Sequence, residues 1–117
     1  MNASPTPEDA EQLRKALQAA LSAKSEVRYA GGYPIYPEAF RDFTGYISGS
    51  PWHRADYIKH MNGDLRAQIE ELPLGKVRSF LTMMIRIDRF SPGGLLAMLE
   101  DGTAERIVSR AVELSDD

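Results

Sequence analysis

Apolar residues recur at intervals of three and four along most of this chain, which is the spacing of one buried helix face. In the segment TPEDAEQLRKALQAALSA, Leu13, Leu17 and Leu21 repeat every four residues. Thr6 can cap this helix, and Pro7 suits its first position because no backbone N–H donor is needed there. We therefore predict a helix that begins at Pro7.

Six further segments carry a similar periodicity and are separated by proline, glycine or asparagine. Their expected caps or first residues are Pro37, Ser50, Asp64, Leu74, Ser91 and Thr103. In segment 74–90, LGKVRSFLTMMIRIDRF, the residues Val77, Leu81, Met84 and Ile85 share one side, which predicts the central core helix. No stretch alternates between apolar and polar residues over the length of a strand. The pattern predicts an all-α fold of six or seven short helices around one core helix.

The 117 residues fit a single domain, with 43% apolar and 26% charged residues, a composition typical of globular proteins. We expect a flexible tail over residues 1–6, one helical domain over 7–115 and a short tail at 116–117. No apolar run approaches the roughly 20 residues that span a bilayer. The start MNASPTPEDAEQ lacks the basic and apolar regions of an export signal, so we expect a cytoplasmic protein.

The sequence contains no cysteine, which excludes disulfides, zinc-thiolate sites and thiol nucleophiles. The formal net charge is -3 at pH 7. That value argues against a protein whose main task is to neutralise nucleic-acid phosphates.

The stretch YAGGYPIYP places Tyr29, Tyr33 and Tyr36 among glycines and prolines, which forbid a regular helix. We expect an ordered extended loop. Its tyrosines can pack over the core or form a contact surface, with Trp52 at the rim of the same aromatic cluster. The two glycines lack the GxGxxG context of a nucleotide-phosphate loop.

The end of the predicted core helix carries Arg86 and Arg89, three residues apart on one helix face. We favour a structural role in which one of them pairs with Asp56 across the core, with Asp88 as the local alternative. The competing interpretation is a fork that recognises an anion or a partner protein.

His53, Asp56 and His60 raise the question of a metal site. On one helix the two histidines would be separated by about 10 Å of rise, too far for a single ion. Asp56 and His60 at four residues could supply two ligands or simply a hydrogen bond between them. We predict no metal site and no cofactor, and no serine lies in a GxSxG context that would identify a catalytic residue.

The run LTMMIRIDRFSPGGLLAMLEDGTAERIVSRAVEL resembles the C-terminal signature of a family of small bacterial and phage-associated proteins of unknown function, in which Arg-x-acid-Arg-Phe follows a short apolar stretch. The upstream segments PEAFRDFTGYI and ADYIKHM resemble its middle part, so the resemblance spans about Tyr33 to Leu114. It implies an α-helical fold and supplies no activity.

The favoured function is a small protein-binding or adaptor module of a bacterial or mobile-element system, with another protein as its partner. Its candidate contact residues are Tyr29, Tyr33, Tyr36, Trp52, Arg86 and Arg89. The alternative is a nucleic-acid-associated protein with a stripe of basic residues at Arg66, Lys76, Arg78, Arg86, Arg89, Arg106 and Arg110. An enzyme that uses His53, Asp56, Tyr57 or His60 ranks third. The sequence does not fix the oligomeric state.

Overall fold

A computed structural model describes residues 4–60 and 65–115 of the chain, and its first helix, α1, is Pro7–Ser22. The prediction for this helix is confirmed, including its cap. The Thr6 hydroxyl accepts a hydrogen bond from the Asp9 backbone N–H, and the Asp9 carboxylate accepts one from the Thr6 N–H. This reciprocal arrangement satisfies N–H groups that the start of a helix leaves without partners.

Four more α-helices occur in the described residues. They are α2 (Glu38–Ser48), α3 (Leu74–Arg86), α4 (Gly94–Glu100) and α5 (Thr103–Ser115). α1 lies against α2 and α5, and α3 contacts α2, α4 and α5. The all-α fold class and the central position of α3 are therefore confirmed. None of the helices in the described residues is long and apolar enough to cross a membrane.

One core joins these helices. Of the apolar residues that the spacing placed on one helix face, Leu21 and Ile85 are half-buried. The others are buried, namely Leu13, Leu17, Val77, Leu81 and Met84. The same spacing predicts that Phe40, Phe43, Leu95 and Ile107 of the other helices face inward, and these four side chains are buried as well. Helical periodicity alone was sufficient to identify them because each lies on the apolar stripe of its own helix.

Segment 28–35 is a β-hairpin, whereas the sequence predicted an extended loop without strands. Strand β1 (Arg28–Ala30) pairs antiparallel with β2 (Tyr33–Ile35). Gly31 and Gly32 have φ values of 59° and 83°, which suit the two central positions of a type I′ turn. Strands of three residues are too short to show alternation, so the glycines were interpreted only as helix breakers.

The prediction of an α-helix after Ser50 is wrong. Residues 51–56 form turns, and Tyr57–His60 is a 3-10 helix. Side chains of α3 bind the backbone here: Arg54 N–H donates to Thr82 Oγ1 at 2.9 Å, and Arg78 Nη2 donates to the His53 carbonyl oxygen at 2.9 Å. These contacts replace the hydrogen bonds that a helix would have supplied. Asp56 and His60 therefore do not share an α-helical face.

The helix predicted after Asp64 is a 3-10 helix over Leu65–Glu71, with non-helical backbone angles at Gln68. The predicted cap of this helix, Asp64, lies outside the described residues. This part of the chain is thus less regular than its apolar spacing indicated.

The predicted caps of the last two helices are also corrected. α4 begins at Gly94 after the N-cap residue Gly93, and the side-chain acceptor at its start is Asp88 Oδ1 and not Ser91: Leu95 N–H donates to it at 3.0 Å. Thr103 is the first residue of α5, and its N–H donates to Asp101 Oδ1 at 2.9 Å. In both cases an aspartate that precedes the helix provides an acceptor for its first N–H groups, from seven positions before Leu95 and from two positions before Thr103.

Candidate functional site

In the described part of the chain, the strongly exposed large apolar side chains fall at two places. Tyr29, Tyr33 and Ile35 lie on the hairpin, and Ile58 and Phe90 line a depression beside the end of α3. Single exposed apolar residues are common, whereas groups of them often mark contact surfaces. We call residues 28–35 the hairpin surface. We call the depression, which is lined by Tyr57, Ile58, Met83, Ile87, Phe90 and Ser91, the apolar groove.

The hairpin surface is open on both faces. Cross-strand partners share a face, and the register pairs Tyr29 with Pro34 and Ala30 with Tyr33. Tyr29 therefore lies on one face, and Tyr33 and Ile35 lie on the other. The exposed fractions of these three side chains are 64%, 64% and 53%. The structure thus presents two of the predicted tyrosines to solvent on a narrow, two-stranded support.

Tyr36 has a different role from the other two tyrosines. Its ring packs on Phe40 with 4.9 Å between the centroids. Its hydroxyl is buried and forms no hydrogen bond of good geometry with the described residues. Burial raises the pKa of Tyr36 above its usual value, and the nearby Asp88 carboxylate raises it further. Tyr36 therefore anchors the end of the hairpin to the body of the protein.

Trp52 does not lie at the rim of a surface cluster, as the sequence predicted. The side chain is fully buried in the core. Its Nε1–H donates to the Asp9 carbonyl oxygen at 3.3 Å, and the Tyr46 hydroxyl donates to the same oxygen at 2.9 Å. A buried indole usually finds a partner for its N–H in this way. The structure therefore places Trp52 in the scaffold and not on a contact surface.

Arg86 does not pair with Asp56, and this part of the prediction is corrected. Asp56 Oδ1 accepts from Arg54 Nε at 2.8 Å, while Arg86 Nη2 contacts His53 Nε2 at 2.9 Å. The guanidinium of Arg86 also lies over the ring of Tyr57, 5.4 Å from its centroid. Within residues 4–60 and 65–115, Arg86 forms no salt bridge with a carboxylate.

The Arg86 contact fixes the protonation state of His53. A guanidinium can only donate hydrogen bonds, so Nε2 of His53 must accept and the neutral ring carries its proton on Nδ1. Burial lowers the pKa of His53 below its usual value, and the positive charges of Arg86 and Arg78 lower it further. The histidine is thus held as a neutral acceptor among cations.

The local alternative for Arg86 and Arg89 is also not found, because the Asp88 carboxylate is directed to the start of α4. Arg89 follows α3 in a short 3-10 helix, Ile87–Arg89, and is exposed. The two arginines are therefore not joined by a shared carboxylate. Both remain candidates for recognition of an acidic group.

The apolar groove was missed by the sequence analysis. Phe90 and Ile58 are 77% and 69% exposed, Met83 and Ile87 are half-buried, and Tyr57 is buried. The groove encloses about 300 Å³, near the lower end of the volumes of ligand pockets. The available signal was Phe90 itself, a large apolar residue directly before a Ser-Pro-Gly-Gly turn. Its proximity to Ile58 depends on the tertiary structure.

The described residues also bear on the proposed metal site and the proposed basic stripe. No group of three histidine, aspartate or glutamate side chains in the described ranges could hold a metal ion. In the proposed basic stripe, Arg106 pairs with Glu70 at 2.7 Å and Arg110 pairs with Glu113 at 2.5 Å. Two of its members are therefore locally neutralised.

Comparison with known proteins places the chain in a family. The model of a family of unknown function, DUF6508, matches residues 6–117, so the chain belongs to that family. This confirms the resemblance to a family of unknown function that the sequence indicated. No curated protein and no solved structure matches the chain.

Proposed function

We propose that this member of the DUF6508 family is a small protein-binding module whose contact surface is the β-hairpin Arg28–Ile35. The observation that carries the proposal is the exposure of Tyr29, Tyr33 and Ile35 together on six paired residues. Tyrosine combines large apolar area with a polar tip and is enriched among the residues that dominate binding energy. The sequence could have placed polar residues at these positions without any cost to the core.

The shape of the region supports the same role. An open depression of about 480 Å³ lies at the base of the hairpin. Its lining includes Arg28 and Ile35 of the hairpin, the anchor Tyr36, and the acidic residues Glu26 and Glu38. A partner side chain that enters the depression would meet apolar and charged groups side by side, as interfaces between proteins commonly provide.

The backbone of the hairpin indicates how a partner is held. A two-residue turn makes its flanking residues, Ala30 and Tyr33, a hydrogen-bonded pair, so the N–H and C=O of Tyr29 point away from β2. Pro34 occupies the equivalent outward position on β2 and has no N–H to donate. The outer edge of β1 can therefore accept an added strand, and we propose that the partner contributes an extended segment there.

We further propose that the module works in the cytoplasm of a bacterial or mobile-element system. The support is the family resemblance described above, together with a cysteine-free sequence that suits a reducing compartment.

Binding experiments with hairpin variants test the proposal. Proteins captured from a lysate by the full chain would be purified and their affinities measured by calorimetry. Tyr29→Ser combined with Tyr33→Ser should weaken a true partner by about ten-fold or more, since both side chains are exposed contacts. Phe90→Ser, which removes an even more exposed ring from the apolar groove, is the control and should leave this affinity unchanged.

Two substitutions at Tyr29 test whether the partner adds a strand to the outer edge of β1. Tyr29→Ser keeps the outward N–H, whereas Tyr29→Pro removes it without disturbing the hydrogen bonds to β2. Tyr29→Pro should bind distinctly more weakly than Tyr29→Ser. Equal affinities would contradict strand addition. Unchanged binding in the double tyrosine variant, or capture of nuclease-sensitive nucleic acid in place of protein, would contradict the proposed function itself.

A further inference from the structure

The apolar groove beside the end of α3 is a second exposed apolar surface, separate from the hairpin surface. We propose that the apolar groove binds a short peptide segment of another protein in which a large apolar side chain is flanked by aspartate or glutamate.

The groove presents a continuous apolar lining with two projecting side chains. The buried Tyr57 and the half-buried Met83 and Ile87 form its walls, and Ile58 and Phe90 project at 69% and 77% exposure. Phe90 contributes little hydrophobic free energy to folding, because most of its ring stays in water. The volume of about 300 Å³ suits one or two side chains of a ligand and not a larger body. Met83 gives the wall a flexible, polarisable side chain that adapts to different apolar groups.

Two arginines near the groove indicate which groups flank the apolar side chain of the peptide. Arg86 lies over Tyr57, a residue of the groove, and Arg89 directly precedes Phe90. Neither arginine forms a salt bridge with a carboxylate within residues 4–60 and 65–115. The nearest acid in sequence, Asp88, is engaged with Leu95 N–H at the start of α4. The described residues therefore place a cation, Arg86, beside the groove and a second one, Arg89, next to Phe90 in sequence, and they pair neither with a carboxylate.

An acidic peptide matches both features. Its apolar side chain would fill the groove, and its carboxylates would accept charge-assisted hydrogen bonds from the guanidinium groups. Arg86 is held in position by His53 and Tyr57, so less side-chain freedom is lost when it binds an anion. A basic or purely apolar segment would leave the two arginines unmatched.

Selection from a displayed library of random short peptides, with the full chain as bait, tests this inference. Enriched peptides should combine a large aliphatic or aromatic residue with neighbouring acids. A synthetic peptide of the enriched sequence should lose about ten-fold or more in affinity for Phe90→Ser, and its binding should weaken as salt concentration rises. Ile58→Ser is a second groove variant for the case in which Phe90→Ser lowers the melting temperature.

Charge and surface controls separate the groove from the rest of the protein. Arg89→Glu should weaken the peptide several-fold and reduce the salt dependence, whereas Arg14→Glu, a charge reversal on the exposed face of α1, should not. Tyr33→Ser removes a comparably exposed ring from the hairpin and should leave peptide binding unchanged. If these groove variants do not affect peptide binding, the hairpin proposal is still valid. If the hairpin variants do not affect partner binding, the groove proposal is still valid.

Three outcomes would overturn the inference. The first is no enrichment, or enrichment of peptides without acids. The second is concentration-dependent self-association that Phe90→Ser abolishes, which would assign the groove to a second copy of the chain. The third is binding of the protein to lipid vesicles that depends on Phe90, which would assign the groove to a membrane surface.

Discussion

At the scale of single residues, Trp52 has no exposed surface and holds α1 through its hydrogen bond to the Asp9 carbonyl oxygen. Trp52→Ala should therefore lower the free energy of unfolding by about 3 to 5 kcal/mol, the range for loss of a large buried side chain. Urea denaturation followed by circular dichroism measures this change. Tyr33→Ala, which removes an exposed ring, should stay within about 0.5 kcal/mol of wild type. Similar losses in both variants would contradict the assignment of Trp52 to the core.

His53 makes a second prediction at the same scale, and its sign follows from the lowered pKa. As pH falls, the unfolded chain protonates this ring near the ordinary pKa of about 6.5, before the folded protein does. Unfolding then takes up a proton, so stability decreases as pH falls through about 6.5 and levels off below the folded pKa. Above about pH 6.5 the neutral His53 makes its full contribution to stability.

Unfolding free energies measured between about pH 8 and pH 5 check this dependence. His53→Gln can still accept from Arg86 but does not titrate, so its decrease should be smaller than that of wild type. An unchanged slope in His53→Gln would show that the Arg86 contact does not control this proton.

At the scale of elements, the link between α3 and α4 depends on short-range geometry. Gly93 has a φ of 89°, which a side chain would make unfavourable, and a Cβ on Gly94 would lie 2.8 Å from Ile87 Cγ2. Glycine is therefore required at position 93 for its backbone conformation and at position 94 because a side chain would collide with Ile87. Together the two glycines let the chain turn so that Asp88 reaches the start of α4.

The Asp88 cap can be tested by two substitutions. Asp88→Ala removes the acceptor for Leu95 N–H and should cost about 0.5 to 2 kcal/mol of stability, as loss of a helix cap does. Asp88→Asn keeps an acceptor oxygen and should lose distinctly less. Amide hydrogen exchange at Leu95 gives the local measurement. Equal protection of this amide in all three proteins would mean that the cap does not stabilise α4.

At the scale of the whole molecule, the contacts of α3 with α2, α4 and α5 imply that the helices unfold together. Leu81 is fully buried in α3. Leu81→Ala should lower stability by about 2 to 5 kcal/mol, and Leu81→Met, which nearly conserves volume, by less than about 1.5 kcal/mol. Trp52 fluorescence and far-ultraviolet dichroism should report the same urea midpoint in each protein. Separate midpoints for the two probes would show that the core is divided.

The sequence by itself determined the five α-helices and most of the core, because a helix buries a face whose residues are three and four positions apart. Phe40, Phe43 and Ile47 are an example, since their spacing within α2 is enough to predict that they are buried together. The exposed tyrosines of the hairpin were also identified as candidates, although their strands were too short to recognise.

The tertiary structure alone decided the path of residues 51–58 and everything that depends on it. Thr82 and Arg78 bind the backbone of Arg54 and His53 across 28 and 25 positions of sequence, and these bonds override the local helical signal. The same path brings His53 to Arg86, 33 positions away, and Ile58 to the groove that Phe90 lines. Local spacing carries no information about such pairs, because they form only when separate elements pack together.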